Sequence, residues 1–269
     1  ATGDIEVHVS EILILNDAKT LPFELEKAGS QNLASEDLRL KYRYLDLRRP
    51  RLQQNIVMRA KTVARIREFM DARGFIEIET PILLKSTPEG ARDFIVPSRI
   101  HSGKFFALPQ SPQILKQISM IAGLDKYYQI ARCFRDEDLR ADRQPEFSQL
   151  DVEMSFTNQE IIYRLLEGTF RHVFRLIETE LPEKFPRITY AEAMRRYGSD
   201  KPDLRFEMEL ADLSENLQKT DFAPFASVLE NKGEIKAIVA RGKADYSRKV
   251  LDELQEFAKR YGAGALAWI

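Results

Sequence analysis

Apolar side chains recur at helical spacing in two parts of the chain. Over 53–72 they are separated by three or four positions and form one stripe, which predicts an amphipathic helix that stops at Gly74. A second helix is expected over 112–122, with Ser111 as its cap and Pro112 in its first turn. We expect this second helix to bury its apolar face, which consists of Ile114, Leu115, Ile118 and Ile121.

Two alternating segments predict a β-hairpin with one apolar and one polar face. The strands are expected over 126–135 and 147–156. Because successive side chains point to opposite faces, one face of the second strand carries Gln149, Asp151 and Glu153, and we interpret it as the wall of a polar cavity. On the first strand, this face is shared by Gln129, Ala131, Cys133 and Arg135. The opposite face of the second strand holds Leu150, Val152, Met154 and Phe156.

The pattern of elements changes at about residue 206, where long elements give way to a smaller α+β unit. We interpret this last part as a second, incomplete domain. The chain also begins without a methionine and ends directly after an apolar run, so we expect it to be a fragment. The other predicted elements are strands at 4–15, at 235–240 and twice within 93–109, and helices at 158–180, 189–197, 209–219 and 246–261.

The composition is that of a folded protein with a well-solvated surface. Of the 269 residues, 43% are apolar and 31% are charged, which excludes low-complexity disorder of the whole chain. The 41 basic and 42 acidic side chains nearly cancel, so the overall charge gives no indication of nucleic-acid binding. No apolar run approaches the roughly 18 residues of a membrane span, and the N-terminus has no signal-peptide pattern. The single cysteine, Cys133, excludes an internal disulfide and favours a reducing compartment, so we predict a cytoplasmic protein.

The segment 134–147, FRDEDLRADRQPEF, carries the strongest chemical signal. Arg135 at a strand end can fork onto a phosphate or carboxylate, and Phe147 is placed to stack on a planar ring. Taken alone, a surface loop with salt bridges explains the segment more often. Two further residues could bind substrate, although a structural role is favoured for each in isolation. Glu89 could hold an ammonium group but is more often a turn residue, and Lys116 could pair with a substrate carboxylate but is more often solvated.

Five segments have the character of sequence signatures. They are RYLDLRRP (43–50), RGFIEIETPILLKSTPEGARDF (73–94), FFALPQSPQILKQ (105–117), CFRDEDLRADRQPEFSQLDVEMSF (133–156) and YGSDKPDLR (197–205). Together they resemble class II aminoacyl-tRNA synthetases, and specifically the bacterial-type aspartyl-tRNA synthetases. The second segment resembles motif 1 and its continuation, the third the amino-acid pocket helix, and the fourth motif 2. The combination is more specific than any one segment and favours the functional interpretation of the residues above.

The resemblance implies an α+β fold, in which an antiparallel sheet of the class II type is flanked by helices. It assigns residues 1–15 to the last strand of an N-terminal anticodon-binding barrel and residues 16–50 to a hinge or linker. Residues 51–205 would form the catalytic core, and residues 206–269 the start of a small α+β insertion domain. The third motif of the family, a glycine-rich strand and helix that ends in an arginine, is absent from this sequence.

The resemblance also implies an activity and partners. The reaction would be the ATP-dependent activation of L-aspartate to aspartyl-adenylate and its transfer to the 3′ end of tRNA(Asp), in a homodimer formed through motif 1. ATP would be a substrate, and the ligands of Mg²⁺ are expected outside this chain, with no metal ligand within it. Because the third motif is absent, we expect the isolated chain to be inactive. A non-catalytic truncated paralogue and an ATP-dependent asparagine-forming class II paralogue are the alternatives.

Site residues follow from the resemblance, position by position. Arg135 and Glu137 would be catalytic, with Arg135 gripping the α-phosphate and the aspartate carboxylate. The aspartate pocket would consist of Glu89, Gln113, Lys116, Arg135, Gln149 and Asp151. ATP would be held by Arg135, Asp136, Glu137, Gln144 and Phe147. The tRNA acceptor end would meet Arg140 and Arg143. Lys116 would face the substrate's side-chain carboxylate and so discriminate against asparagine.

Overall fold

The chain forms two units, residues 1–184 and residues 185–269, which are described separately. The computed structural model describes residues 3, 5–25, 33–138, 140, 143–264 and 266–268. The first unit contains, in chain order, α1 (Glu36–Lys41), α2 (Arg43–Asp46), α3 (Pro50–Asp71), β1 (Ile76–Glu77), β2 (Ile95–Pro97), β3 (Phe105–Ala107), α4 (Gln113–Ile121), β4 (Lys126–Phe134), β5 (Glu146–Met154) and α5 (Gln159–Phe174). The second contains α6 (Tyr190–Tyr197), β6 (Ala211–Asp212), α7 (Ala223–Glu230), β7 (Lys236–Ala237) and α8 (Arg248–Arg260).

A three-stranded sheet in the order β1–β4–β5 forms the centre of the first unit. The predicted hairpin is confirmed: β4 and β5 pair antiparallel, with Gln129 opposite Asp151 and Ala131 opposite Gln149. β2 and β3 form a second antiparallel pair, as expected for 93–109. β1 instead runs parallel to β4, so the sheet is not purely antiparallel. The α+β class is confirmed.

The apolar face of the hairpin is covered by helices. Leu150, Val152 and Met154 pack against a core cluster that α3 and α5 complete; its members are Phe69, Met70, Phe75, Tyr128 and Leu165. α3 begins at Pro50, where a proline is tolerated because its missing N–H has no helical partner. It ends at Asp71, and the chain reverses at Gly74 with a φ of +73°.

The prediction for Phe156 was wrong. β5 ends at Met154, and Phe156 adopts a left-handed φ of +51° with 96% of its surface exposed. The alternation of side chains stops where the extended backbone stops, so Phe156 leaves the apolar face.

The predicted orientation of α4 was also wrong. Its buried residues are Lys116 and Ser119, whereas Ile118 is exposed and Ile121 is 85% exposed. The polar side of the helix faces β5, because acidic side chains there bind the ammonium group of Lys116. The cap is Pro112 rather than Ser111, whose hydroxyl instead donates to Glu89 at 2.7 Å.

The N-terminal predictions were only partly correct. Residues 5–15 contain no strand, because within the described part of the chain nothing pairs with them; residues 1, 2 and 4 lie outside it. The predicted linker contains α1 and α2, which are held by the fully buried Asp46. Its carboxylate lies 2.7 Å from Arg43 and 3.1 Å from Arg49. Residues 26–32 of that linker are outside the described residues.

The second unit differs from prediction at two helices, one of which is α7, which the sequence pattern did not predict. The other was predicted over 209–219, and these residues form β6 and turns instead, because Asp212 accepts a hydrogen bond from the Ser214 amide at 2.9 Å and β6 pairs with β7. The division between the units precedes α6, whose Arg196 binds Glu209 through a 2.8 Å Nε–Oε2 hydrogen bond. The helix predicted over 246–261 is confirmed as α8. Among the residues that the structure describes, no helix is both long and apolar enough to cross a membrane.

Candidate active site

One side of the β4–β5 hairpin presents polar and aromatic side chains to α4. The register places this polar face on Tyr127, Gln129, Ala131 and Cys133 of β4 and on Phe147, Gln149, Asp151 and Glu153 of β5. It lies opposite the core because side chains alternate along each strand. The sequence-predicted Gln149 and Asp151 are therefore neighbours on one surface.

Lys116 reaches this surface from α4. Its Nζ lies 2.9 Å from Oδ1 of Asp151 and 3.3 Å from Oε2 of Glu153, and only 11% of its side chain is exposed. Burial alone would lower the pKa of Lys116, but hydrogen bonds and charge from the two carboxylates raise it above its ordinary value. The lysine therefore stays charged within a largely dry site.

Asp151 has unused hydrogen-bonding capacity. Its Oδ2 is buried and has no hydrogen-bond partner among the described residues. Burial raises the pKa of Asp151, against the effect of Lys116 and with the help of charge from Glu153 and Glu89. A buried carboxylate oxygen without a donor is unfavourable, so the site is suited to a ligand that brings an N–H group.

Glu89 is held on a loop beside the same site. Its two oxygens accept hydrogen bonds from Thr87 Oγ1 at 2.9 Å and from Ser111 Oγ at 2.7 Å. The buried Gln110 fixes the loop, because its side chain bonds both the N–H and the C=O of Ala91, at 3.0 and 2.8 Å. Glu89 is thus positioned from two sides rather than merely placed in a turn.

Cys133 is a buried thiol on the polar face, and several charged groups act on its pKa. Burial raises the pKa of its thiol to about 11; the charges of Arg135 and Lys116 lower it, and those of Asp151 and Glu89 raise it. All four charged groups therefore lie within electrostatic reach of a single sulfur atom. The thiol donates toward Oε1 of Gln149 at 3.3 Å.

A cleft of about 370 Å³ lies at the loop end of the hairpin, within the size range of small-molecule sites. The Arg135 guanidinium stands 5.1 Å from the Phe147 ring centroid, and Arg143 lies 3.4 Å from a Glu137 oxygen. The residues lining this loop cleft are Arg135, Glu137, Asp138, Arg143, Gln144, Pro145 and Phe147.

Three sequence-predicted residues lie apart from these contacts. Asp136 pairs with Arg92 at 4.0 Å and does not line the loop cleft. Arg140 is exposed and also lies outside the cleft lining. Gln113 begins α4 and is half-buried, and its side chain makes no hydrogen bond within the described part of the chain.

Two residues of this site were not among those predicted to form it. Glu153 is the second partner of Lys116, and strand alternation already placed it on the polar face. Ser111 binds Glu89 but was assigned only to helix capping. Hydroxyl groups serve both purposes, so no sequence signal separates them.

The described residues contain no ready-made cluster of metal ligands. Among them, no group of three or more His, Cys, Asp or Glu side chains could hold a metal ion. The closest carboxylates on the polar face, Asp151 and Glu153, share Lys116 instead.

Sequence comparison agrees with this architecture. A profile of the family described as tRNA synthetases class II (D, K and N) matches residues 35–258. The chain belongs to the class II tRNA synthetases. The resemblance found in the sequence signatures is confirmed, and the antiparallel hairpin flanked by helices is consistent with the class II fold.

Several similar proteins are aspartate–tRNA ligases by name. The aspartate–tRNA ligase of Staphylococcus haemolyticus is 58% identical over 270 residues, covering all of this chain and 46% of that enzyme. The aspartate–tRNA(Asp/Asn) ligase of Caldanaerobacter subterraneus is 56% identical, with 45% of its length covered. A crystal structure described as that of an aspartyl-tRNA synthetase from Leishmania major is also similar, over 59% of this chain and 30% of that protein, with a TM-score of 0.51 and 26% identity. This class II chain spans less than half the length of these relatives.

Proposed function

We propose that this chain carries the aspartate- and ATP-binding site of an aspartate–tRNA ligase. The whole reaction is the ATP-dependent activation of L-aspartate to aspartyl-adenylate and transfer of the aspartyl group to the 3′ end of tRNA(Asp). One observation carries the proposal: a buried Lys116 lies between two carboxylates on the hairpin that also bears Arg135. Such a site offers cations to a substrate's carboxylates and anions to its ammonium group.

Within this proposal, Lys116 selects the side chain of aspartate. An ammonium group has three N–H donors, so contacts with Asp151 and Glu153 leave one for the substrate's side-chain carboxylate. Asparagine would present an amide to a buried cation and lose the charge-assisted bond, at a cost of about 2–3 kcal/mol. Gln113, half-buried at the start of α4, completes this side of the pocket.

The substrate's ammonium group faces the acidic part of the site. The buried, unpartnered Oδ2 of Asp151 supports this placement, because an ammonium donor would satisfy it. Glu89 and Gln149 lie nearby and add acceptor oxygens.

Catalysis in this proposal is mainly positioning and charge neutralisation. The α-carboxylate of aspartate attacks the α-phosphorus of ATP, an oxygen–phosphorus bond forms, the bond to the β-phosphate breaks, and pyrophosphate leaves. Arg135 brings the two anions together, Phe147 stacks on adenine, and Gln144 and Glu137, which line the loop cleft, hold the nucleotide. The ligands of Mg²⁺ are expected outside this chain, and no step is assigned to the ion.

The proposed partners are tRNA(Asp) and a second copy of the enzyme. Arg140 and Arg143 are exposed on the loop, where they can meet acceptor-end phosphates. Dimerisation is proposed through 73–94, where Ile82 and Leu83 remain exposed. An enzyme of protein synthesis with one buried free thiol fits the cytoplasm.

The decisive experiment is aspartate-dependent ATP–pyrophosphate exchange by the full-length parent enzyme. Lys116→Met should reduce the preference for aspartate over asparagine by at least about tenfold, because the charge-assisted contact is lost. Lys104→Met, at an exposed lysine, is the matched control and should leave the preference unchanged. The ratio of the exchange activities with aspartate and with asparagine does not depend on the fraction of enzyme that is folded. An unchanged preference in Lys116→Met contradicts the pocket assignment, and conversion of aspartate to asparagine would favour the paralogue instead.

A further inference from the structure

A second cavity lies between the C-terminal half of α5 and the end of α3, beside the apolar face of the hairpin. Its volume is about 310 Å³. Four basic side chains line this basic cavity: Arg73, Arg171, His172 and Arg175. None of them belongs to the site proposed for aspartate and ATP.

Among the described residues, the arginines of the basic cavity have no acidic partners. Arg73 donates to the Phe69 carbonyl at 3.0 Å, and Arg171 donates to the Glu183 carbonyl at 2.9 Å. Within the described ranges, no carboxylate oxygen lies within 4.0 Å of the guanidinium groups of Arg73, Arg171 or Arg175. A carbonyl satisfies one N–H group but leaves the positive charge uncompensated.

The other polar groups of the cavity do not neutralise this charge. Glu68 is the acidic residue of the lining, and it is already bound to Arg65 at 2.7 Å. The Nε2 atom of His172 is buried, lies 3.5 Å from Glu68 and makes no hydrogen bond to any described residue. Burial lowers the pKa of Arg73, and no acidic group opposes that shift.

The position of Arg73 is fixed by packing. Its guanidinium carbon lies 3.3 Å from the centroid of the Phe69 ring, so the group is stacked in place. α5 can approach this ring only because residue 168 is glycine: a Cβ there would lie 2.7 Å from Cζ of Phe69. The stacked group keeps most of its five N–H donors free for a ligand.

We propose that the basic cavity binds a phosphate group, supplied either as inorganic phosphate or by the backbone of an RNA strand. A guanidinium group can donate two parallel hydrogen bonds to two oxygens of one phosphate. Three arginines around one cavity can therefore surround a tetrahedral anion. The volume accommodates a phosphate together with the atoms attached to it. This inference is independent of the aspartate chemistry.

The test measures binding of both phosphate sources by this chain. Inorganic phosphate is titrated calorimetrically at constant ionic strength, and a dye-labelled single-stranded RNA of about twenty nucleotides is titrated by fluorescence anisotropy at several salt concentrations. The double variant Arg171→Gln/Arg175→Gln should bind the favoured source at least about tenfold more weakly. If that source is RNA, the slope of log affinity against log salt should also fall by roughly one.

Two further variants make the result specific. Arg99→Gln/Arg164→Gln removes the same charge at exposed positions outside the cavity and should bind like the unaltered chain. Arg171→Lys/Arg175→Lys keeps the charge but loses the fork, so its affinity should be intermediate. Phosphate binding without RNA binding identifies the free ion, and RNA binding that inorganic phosphate does not displace identifies the backbone. The proposal is overturned if the unaltered chain binds neither probe, or if the control pair weakens binding as much as the cavity pair.

Discussion

Single side chains determine the character of the polar face, and Lys116 is the clearest case. One ammonium group binds two carboxylates, and its removal would leave Asp151 buried with neither oxygen paired to a cation. A buried charge without its partner is far more unfavourable than the pair itself is favourable. The residue therefore matters to folding as well as to the proposed substrate selection.

We expect Lys116→Met to lower the free energy of unfolding by about 3 kcal/mol, the typical effect of breaking a buried ion pair. Urea titration followed by circular dichroism measures this change. Lys104→Met, at an exposed position, should alter stability by no more than about 0.5 kcal/mol. Equal stability of the two variants would mean that the Lys116 pair is not buried in solution.

Cys133 should be unreactive in the folded chain. Its side chain is buried and its pKa is about 11, so at pH 8 only about one thiol in a thousand is ionised. An aromatic disulfide reagent should therefore react slowly with the native chain and within minutes in urea. Rapid stoichiometric reaction without denaturant would show that the hairpin opens readily.

At the scale of elements, the sequence predicted the hairpin better than the helix that packs on it. Alternation along β5 placed Gln149, Asp151 and Glu153 on one face, because strand geometry leaves only two choices. The orientation of α4 was not predictable in this way. Its isoleucines favoured an apolar contact, but the carboxylates on the facing strand attract Lys116, and those carboxylates are 35 and 37 positions away in sequence.

β4 should make the first unit sensitive to alkaline pH. Burial raises the pKa of Tyr127 and of Tyr128 well above the ordinary tyrosine value, and carboxylate contacts raise the pKa of Lys116. All three groups bind their protons more tightly in the folded chain than in the unfolded chain. Their contribution to the stability of the fold is therefore complete below the pKa values of the unfolded chain, and it is lost as the pH rises through the higher pKa values of the folded chain.

Each such group should lower the free energy of unfolding by about 1.4 kcal/mol per pH unit once the unfolded chain deprotonates. Urea midpoints at pH 8, 9, 10 and 11 measure the trend. Tyr128→Phe removes one titrating group and should flatten the decline above pH 10, whereas Tyr246→Phe, in the second unit, should not. A stability that is constant up to pH 11 would contradict the burial of these phenols.

At the scale of the whole molecule, the division of the chain into units was harder to predict than the segments that carry the family motifs. The sequence pattern predicts a change of organisation near residue 206, and Arg196 binds Glu209 across that position; the two units of the structure meet at residues 184 and 185. Long-range ion pairs of this kind leave no periodic signal in the sequence. The motif-bearing segments, by contrast, were recognisable as a group, because each keeps several residue types at fixed spacing.

We expect the chain of 269 residues alone to show no aspartate-dependent ATP–pyrophosphate exchange. It carries Arg135 but no glycine-rich motif ending in a second arginine, so part of the charge on the triphosphate would remain uncompensated. The full-length parent, assayed under the same conditions, is the positive control. Exchange by the isolated chain would show that motif 2 alone suffices for activation.

The outer position of β5 has a consequence for hydrogen exchange. β4 is paired on both sides at Tyr127 and Tyr128, whereas within the described chain β5 pairs with β4 alone. Amides of β5 that point away from β4 can therefore open to deuterium without breaking a ladder. Hydrogen exchange followed by mass spectrometry should show two rates of deuterium uptake in the hairpin. Every second amide of β5 should exchange well before the amides at the centre of β4.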